Sequence, residues 1–231
     1  MNITEDVQKI INDLLLNWSE TERTVEIPFI FRELPEPGVF MSKRILDIGC
    51  CESPLAIKLN DLWFDSWGVD VRDYGVDYPK FIKCDARNLS MIPSSSFDMV
   101  MAVSTIEHIG LVSTPYNSNN CIDSTFDEDG DLKVISEMVR VVKPGGMILV
   151  TLPYGTGCAE LNSWMRFYNK NRIQKMVNRK LVIDKIEYYI FRNGRWSASD
   201  EKECSSSYSK IVNIPKLSPV TGNICILGHK A

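Results

Sequence analysis

The spacing of apolar residues along the chain changes after the N-terminal segment. In residues 4–18 apolar side chains recur at every third or fourth position, which predicts an amphipathic helix with Thr4 as its N-cap. From residue 44 onward, short apolar runs alternate with segments of helical spacing such as LKVISEMVRVVK (132–143). Strands that alternate with helices predict an α/β fold, a parallel sheet with helices on both faces. The predicted strands are RILDI (44–48), SWGVDV (66–71), KFIKCD (80–85), FDMVMAVS (97–104) and GGMILVTL (145–152).

The last third of the chain follows a different pattern. LVIDKIEYYIF (181–191) and NICILGHK (223–230) are strand-like runs with no helical segment between them, which predicts a C-terminal antiparallel hairpin that closes the sheet. Residues 111–130 and 193–219 are longer than the roughly 12–15 residues of ordinary connections, so we expect loops that cover or line a binding site.

A turn-rich segment divides the chain near its N-terminus. ELPEPG (33–38) contains two prolines and a glycine and is typical of a linker. We therefore expect an N-terminal helical cap and linker at residues 1–38, and one domain at residues 39–231 that binds the ligand.

Composition and charge narrow the range of partners. The 231 residues carry a net charge of −4 and a sequence pI of about 5.3, which argues against a nucleic-acid backbone as the main partner. No apolar run approaches the roughly 18 residues of a membrane span, and the N-terminus lacks the basic-then-apolar pattern of a secretion signal. Seven cysteines without paired spacing are typical of reduced thiols, so we expect a cytoplasmic protein with no membrane partner.

The sequence lacks the complete ligand pattern of a zinc site or of a calcium loop. Only two histidines are present, and no cysteine pair has the spacing of a zinc site. DEDGD (127–131) begins like a calcium loop, but Leu132 stands where that loop needs glycine, and Met138 where it needs glutamate. We predict no metal, and interpret DEDGD as acidic capping of the helix that follows.

Acidic residues mark the ends of three successive predicted strands. Asp47 lies in RILDIG, Asp70 ends WGVD, and Asp85 ends FIKCD. Ligands of open α/β sheets bind at the carboxyl ends of the strands, so these acids predict a crevice lined with hydrogen-bond acceptors. Acceptors suit an amine, ribose hydroxyls and the amine of adenine, whereas pyrophosphate would be repelled. The turn after RILDI contains one glycine, Gly49. This fits such a ligand, because a ligand without pyrophosphate does not need a glycine-rich phosphate-binding loop.

From residue 44 to the C-terminus the chain resembles the class I S-adenosylmethionine-dependent methyltransferases. Within that family, it is most similar to a bacterial and archaeal subgroup marked by VEIPFIFREL (25–34), STIEHIGL (104–111) and LPYG (152–155). The resemblance implies a Rossmann-like, mostly parallel sheet of seven strands. The segments that resemble the five family motifs are LDIGCCES, GVDVR, KCDARNL, FDMVMAVSTIEHIG and VVKPGGMILVTLPYG.

The resemblance also implies how S-adenosylmethionine is held. Asp47 and Gly49 would bind its methionine end, Asp70 its ribose hydroxyls, and Asp85 its adenine amine. The remaining predicted cofactor contacts are Cys50, Val71, Ala86, and the pair Ser104 and Thr105 beside the sulfonium.

The predicted reaction is methyl transfer to a small molecule such as a saccharide or another metabolite. His108 is the candidate general base because histidine titrates near neutrality, with Glu107 beside it and Tyr154 as a further polar group. Two alternatives stay open: an RNA or protein methyltransferase that uses the basic segment 165–180, and a non-catalytic S-adenosylmethionine-binding protein. The sequence argues against an NAD dehydrogenase, because residues 49–54 read GCCESP and lack G-x-G-x-x-G.

Overall fold

The computed structural model describes residues 3–16, 20–34, 43–111, 126–155, 165–207 and 221–231. The helices are α1 (Ile3–Leu15), α2 (Arg23–Glu33), α3 (Leu55–Asp61), α4 (Gly130–Val141), α5 (Lys170–Val177) and α6 (Glu201–Ser205), with short 3-10 turns at Cys50–Glu52 and Ile106–His108. The strands are β1 (Arg44–Ile48), β2 (Asp65–Asp70), β3 (Phe81–Lys83), β4 (Phe97–Val103), β5 (Val142–Pro153), β6 (Leu181–Arg192), β7 (Arg195–Ser199) and β8 (Gly222–Lys230).

One sheet runs through the molecule in the order β3-β2-β1-β4-β5-β8-β6-β7. The first five strands of this order pair in parallel, as the alternation of strands and helices predicts, whereas β8, β6 and β7 pair antiparallel. The α/β class and the antiparallel C-terminal part are therefore confirmed. The expected number of seven strands is wrong, because the sheet has eight.

The additional strand is β7, which lies in a segment predicted to be a loop. Asn193 and Gly194 have φ values of +52° and +75° and join β6 to β7 as a two-residue hairpin. Asn-Gly is the strongest short-range hairpin signal, because both central residues of such a turn need a positive φ. β8 then returns between β5 and β6, so the two late strands do pair antiparallel. Of the predicted loop 193–219, residues 208–219 lie outside the described residues.

The two faces of the sheet carry separate apolar cores. One core contains α4 and α5 residues such as Ile135, Met138 and Ile173. The other joins α1, α2 and α3 to the opposite face of β1, β4 and β5, with Ile10, Ile30 and others in one cluster. Helices on both faces are therefore confirmed, and the strands between them are buried on both sides.

Helix α2 is not predicted from the sequence, although it contains all of VEIPFIFREL except the last residue, Leu34. Pro28 stands inside the helix and lacks the N–H for one intrahelical bond, which hides the helical pattern. Burial of Ile27, Phe29 and Ile30 offsets that loss. On its exposed side, Glu33 accepts a hydrogen bond from Lys185 of β6 at 2.7 Å. α2 is thus packed against the sheet, while the predicted boundary at residue 38 lies outside the described residues.

We expect Ile30→Ala to lower the free energy of unfolding by about 2–5 kcal/mol, the usual cost of truncating a fully buried aliphatic side chain. Ile30 is 0% exposed in the core beneath α2. The control is Leu16→Ala, because Leu16 is 75% exposed and should change stability by less than about 0.5 kcal/mol. Urea denaturation measures both. Equal effects of the two substitutions would show that α2 unfolds independently of the sheet.

Candidate functional site

The carboxyl ends of β1 and β4 meet at Gly49. Its φ of +83° lies in the left-handed region, and its N–H donates to the carbonyl of Val69 at 2.7 Å. A Cβ at this position would lie 2.3 Å from the side chain of Thr105. Only glycine therefore fits, both for the backbone conformation and for the close approach. The turn brings the predicted cofactor residues Gly49 and Thr105 into contact.

Asp47 is a buried carboxyl group at the carboxyl end of β1. It is 3% exposed, and burial raises its pKa to about 7. Asp70 adds to this rise by like-charge repulsion, while the Arg23 guanidinium opposes it. A carboxyl group with this pKa is ready to lose its proton when a cationic ligand arrives at neutral pH.

Asp70 at the end of β2 has the opposite environment. Its Oδ1 accepts the N–H and the Nε–H of Arg72, both at 3.0 Å. Its Oδ2 accepts from Arg72 Nη2 at 2.9 Å and from the N–H of Cys51 at 3.1 Å. Despite the desolvation that opposes it, these bonds lower the pKa of Asp70. The four bonds use the roughly four acceptor positions of a carboxylate, so ribose hydroxyls can bind only if Arg72 releases some of them.

Asp85, which follows β3, is bound by an arginine two residues later, as Asp70 is. Asp85 accepts from Arg87 N–H at 2.8 Å and from Arg87 Nη2 at 2.6 Å. Between the two residues lies Ala86, which is buried, just as Val71 lies between Asp70 and Arg72. Neither Arg72 nor Arg87 is identified as a site residue from the sequence. Each nevertheless belongs to an Asp-x-Arg segment, in which the guanidinium can bind the carboxylate two residues before it.

Cys50 differs from the other predicted cofactor residues because its side chain is turned into the sheet. Its Sγ lies 2.6 Å from where a Cβ on Gly68 would be, so the thiol fills the space above β2. A contact from Cys50 to a ligand would therefore come from its backbone.

Ser104, at the end of β4, belongs to a buried hydrogen-bond group. Its φ is +43°, and its N–H donates to Thr151 Oγ1 at 2.9 Å. The Ser104 hydroxyl donates to Glu26 Oε1 at 2.6 Å, and Asn223 Nδ2 donates to the same oxygen at 2.9 Å. Helix α2 thus contributes Glu26 to this edge of the sheet. Nothing in the local pattern of the sequence identified Glu26 as a site residue.

Glu107 and His108 follow Ser104 in a 3-10 turn. Glu107 is 1% exposed, its Oε2 has no hydrogen-bond partner, and burial holds its pKa well above the usual range. Nε2 of His108 lies 3.8 Å from Glu107 Oε1. Arg23 of α2 interacts electrostatically with Glu107, Glu26 and Asp47 and donates to the carbonyl of Val103 at 3.1 Å. The structure therefore brings two predicted catalytic residues next to α2.

Tyr154, the third predicted catalytic residue, lies on the other side of the sheet. It belongs to the core that contains α4 and packs edge-on against Tyr188 with ring centroids 5.7 Å apart. Burial raises the pKa of Tyr154 to about 12, with smaller contributions from Tyr188, Glu201 and Cys204. The structure does not group it with Glu107 and His108.

Two of the six basic residues of segment 165–180 bind groups inside the protein. Arg172 Nε donates to Asp131 at 3.0 Å, and buried Arg166 donates through Nη2 to the carbonyl of Asp127 at 2.7 Å. Asp131 also accepts from the hydroxyl of Tyr168 at 3.0 Å. The exposed basic residues that remain are Lys170, Lys175, Arg179 and Lys180.

The acids of DEDGD lie at the N-terminus of α4, with Asp131 in its first turn, as the capping interpretation predicts. Asp129 stands at the N-cap of α4 but makes no capping hydrogen bond, and Asp127 instead pairs with Lys133 at 2.7 Å. Within the described ranges, no group of three or more His, Cys, Asp and Glu side chains could hold a metal ion. No helix of the described part of the chain has the length and apolarity needed to cross a membrane.

Comparisons with known proteins agree with this geometry. Residues 46–150 match the family model described as a methyltransferase domain. No curated protein matches the sequence. A solved S-adenosylmethionine-dependent methyltransferase from Methanosarcina mazei is 15% identical, with a TM-score of 0.57 over 88% of this chain and 97% of that one.

Two further solved structures share the fold. The 1,6-didemethyltoxoflavin-N1-methyltransferase of Burkholderia thailandensis, solved with 1,6-didemethyltoxoflavin and S-adenosylhomocysteine, is 10% identical, with a TM-score of 0.56 over 100% of this chain and 86% of that one. The cyclase SpnF is 16% identical, with a TM-score of 0.51 over 80% of this chain and 72% of that one.

The Rossmann-like fold is thus confirmed, and the domain match confirms the prediction of a methyltransferase enzyme. Both findings support S-adenosylmethionine as its cofactor. The narrower resemblance to the STIEHIGL subgroup stays a prediction.

The opposite environments of Asp47 and Asp70 predict opposite effects of removing their charges. A carboxyl group with a raised pKa binds its proton more tightly when folded, so its ionisation destabilises the protein as pH rises from about 4 to about 7. Asp47→Asn should therefore raise the melting temperature, by an amount that grows between pH 5 and pH 8. Asp70 has a lowered pKa, and its stabilisation is fully present above its unfolded value.

Asp70→Asn should accordingly lower the melting temperature by a similar amount throughout pH 5–8. Thermal unfolding of the two variants and the wild type over this range measures both effects. Destabilisation by Asp47→Asn at pH 8 would contradict the assignment of Asp47 as a desolvated group.

Proposed function

We propose that the protein, which contains a methyltransferase domain over residues 46–150, transfers a methyl group from S-adenosylmethionine to a small molecule. The observation that carries this proposal is the meeting of Asp47, Gly49, Asp70 and Thr105 at the carboxyl ends of β1, β2 and β4. A parallel sheet binds its ligand at this edge, where the strand order reverses between β1 and β4.

The proposed cofactor position follows from the chemistry of the acids. The ammonium group of the methionine end would lie by Asp47, because a cation there would relieve the cost of burying that carboxylate. The ribose would lie by Asp70 and Val71, with its hydroxyls replacing part of the Arg72 fork. The adenine would lie by Asp85 and Ala86, and the sulfonium by Ser104 and Thr105. Backbone groups at Gly49 and Cys50 would complete the contacts.

The proposed chemistry is an in-line displacement at the methyl carbon. Such a reaction depends mainly on alignment of the nucleophile with the methyl group, and good alignment of two reactants is worth about 7–11 kcal/mol. His108 would take the proton of the acceptor, and Glu107, whose Oε1 lies 3.8 Å from Nε2 of His108, would help to orient its partner. Tyr154 is left out of this set because its ring packs on the other side of the sheet.

The structure weakens the support for an RNA or protein acceptor. Arg166 and Arg172, two of the six basic residues of segment 165–180, bind internal carbonyl and carboxylate groups. Stacking of nucleobases would need exposed aromatic rings, and Phe167 and Tyr168 are both buried. The fold likeness to a cyclase shows that this architecture also serves other chemistry, so transfer of the methyl group must be measured directly.

We expect wild-type protein to bind S-adenosylmethionine and S-adenosylhomocysteine, and Asp70→Ala to weaken both at least tenfold. A hydrogen bond to a charged group contributes about 1.5–3 kcal/mol, which corresponds to this loss. The control is Asp184→Ala, since Asp184 pairs with His229 at 2.7 Å on strands at the other end of the sheet. Isothermal titration calorimetry distinguishes the outcomes. Absence of binding by the wild type would overturn the proposed function, and undiminished binding by Asp70→Ala would overturn the role of Asp70.

For an acceptor that enters with a proton to lose, His108→Ala should lower kcat by about 10²–10⁴, the usual contribution of a positioned base. The affinity for S-adenosylmethionine should stay unchanged, because the imidazole would face the acceptor. Transfer of labelled methyl gives kcat, and calorimetry gives the affinity. A variant that loses cofactor binding and melts early would show that His108 supports the fold only.

A further inference from the structure

The four donors on Asp70 are of two kinds, of which one is fixed and the other can move. Two are the backbone N–H groups of Arg72 and Cys51, at 3.0 and 3.1 Å. The other two are Nε and Nη2 of the Arg72 side chain, at 3.0 and 2.9 Å, with one on each carboxylate oxygen. A side chain can change its rotamer while the backbone stays in place, so the guanidinium is the group that can make way for a ligand at Asp70.

The guanidinium of Arg72 has a second acidic partner. Its Nη1 donates to Glu52 Oε1, in the 3-10 turn that follows Gly49. The side chain of Glu52 is 34% exposed, whereas that of Asp70 is 4% exposed. Glu52 therefore lies nearer to the solvent, and the guanidinium can leave Asp70 in that direction while it keeps an ion pair with Glu52.

The other predicted acceptor of cofactor donors, Asp85, is less enclosed. Arg87 binds it through Nε at 2.9 Å and through Nη2 at 2.6 Å, much as Arg72 binds Asp70. The side chain of Asp85 is, however, about as exposed as that of Glu52. A further donor can therefore reach Asp85 while Arg87 stays bound. At Asp70 a new donor has to replace one that is already there.

We propose that the side chain of Arg72 competes with the cofactor ribose for Asp70, and that Glu52 holds the guanidinium when the ribose binds. This proposal rests on the proposed function, because it requires the ribose at Asp70. The two vicinal hydroxyls of a ribose supply two O–H donors, the number that Nε and Nη2 of Arg72 supply to the same carboxylate. Asp70 is thus satisfied in both arrangements.

The competition has opposite consequences for the two partners of the ion pair. Only those molecules in which the guanidinium has left Asp70 can bind the ribose, so Arg72 lowers the apparent affinity for the cofactor by the size of that fraction. Glu52 stabilises the displaced guanidinium and so raises the affinity. Glu52 is in this account a positioning residue that acts through Arg72 alone.

Substitutions of Arg72 in the full chain test the competition. We expect Arg72→Met to bind S-adenosylhomocysteine at least about threefold more tightly than the wild type, because the competing donors are gone. Arg72→Lys keeps the positive charge but cannot form the two-bond fork, so it should also bind more tightly. The control is Arg192→Met, which removes an arginine that pairs with Glu203 at the surface and should leave the affinity unchanged. Isothermal titration calorimetry measures the affinities, and thermal unfolding checks that each variant is folded.

Glu52→Gln tests the second position of the guanidinium. It should weaken binding of S-adenosylhomocysteine at least about threefold, because the displaced guanidinium loses its ion-pair partner. In the double variant Arg72→Met/Glu52→Gln, the affinity should equal that of Arg72→Met, since Glu52 acts through Arg72. A purely structural role of Glu52 would instead weaken binding by the same factor in both backgrounds.

The results that would overturn the proposal are distinct from those that would overturn the proposed function. Folded Arg72→Met that binds S-adenosylhomocysteine no more tightly than the wild type would contradict the competition, and if Arg72→Met does not fold, the same criterion applies to Arg72→Lys. Unchanged binding by Glu52→Gln, or an equal loss in the presence and absence of the Arg72 side chain, would contradict the role of Glu52. Failure of wild-type protein to bind S-adenosylhomocysteine would overturn the proposed function itself.

Discussion

The carboxyl group of Glu26 joins three parts of the chain that are far apart in sequence. One of its oxygens accepts hydrogen bonds from Ser104 at the end of β4 and from Asn223 in β8, while the residue itself lies in α2. Burying a carboxylate is costly unless it is hydrogen-bonded, so the two bonds to Oε1 favour the position of α2 across the carboxyl ends of the strands. The position of α2 in turn brings Arg23 beside Asp47 and Glu107. The candidate site therefore depends on this one buried contact.

The two acids at the ends of β1 and β2 show how one sheet edge provides two different chemical environments. Asp47 is desolvated and its pKa is raised, whereas Asp70 receives donors from Arg72 and Cys51 and its pKa is lowered. The difference comes from local partners, because both residues occupy the same edge of adjacent strands. A ligand with an ammonium group at one end and hydroxyls at the other would meet a suitable acceptor at each end. S-adenosylmethionine has both features.

The sequence predicts the parallel part of the sheet well, because each of its strands is a short apolar run that ends in a turn. It also predicts that Asp47, Asp70 and Asp85 lie along one edge of the sheet, because the carboxyl ends of parallel strands lie together. The strand β7 is predictable from Asn193-Gly194, a hairpin signal that lies within a polar segment. Glu26 is not, since its partner Ser104 is 78 residues away and no local pattern encodes that contact. The role of Tyr154 stays a prediction: the sequence shows that it follows a strand, but not that its ring belongs to the core that contains α4.

The most direct test of the central claim is a crystal structure of the protein with S-adenosylhomocysteine. We expect the homocysteine amine within hydrogen-bond distance of Asp47, the ribose hydroxyls on Asp70 with Arg72 displaced, and the sulfur beside Ser104 and Thr105. Binding of S-adenosylhomocysteine elsewhere, or an Arg72 fork that still occupies Asp70 without contact to the ribose, would contradict the assignment of this crevice as the cofactor site.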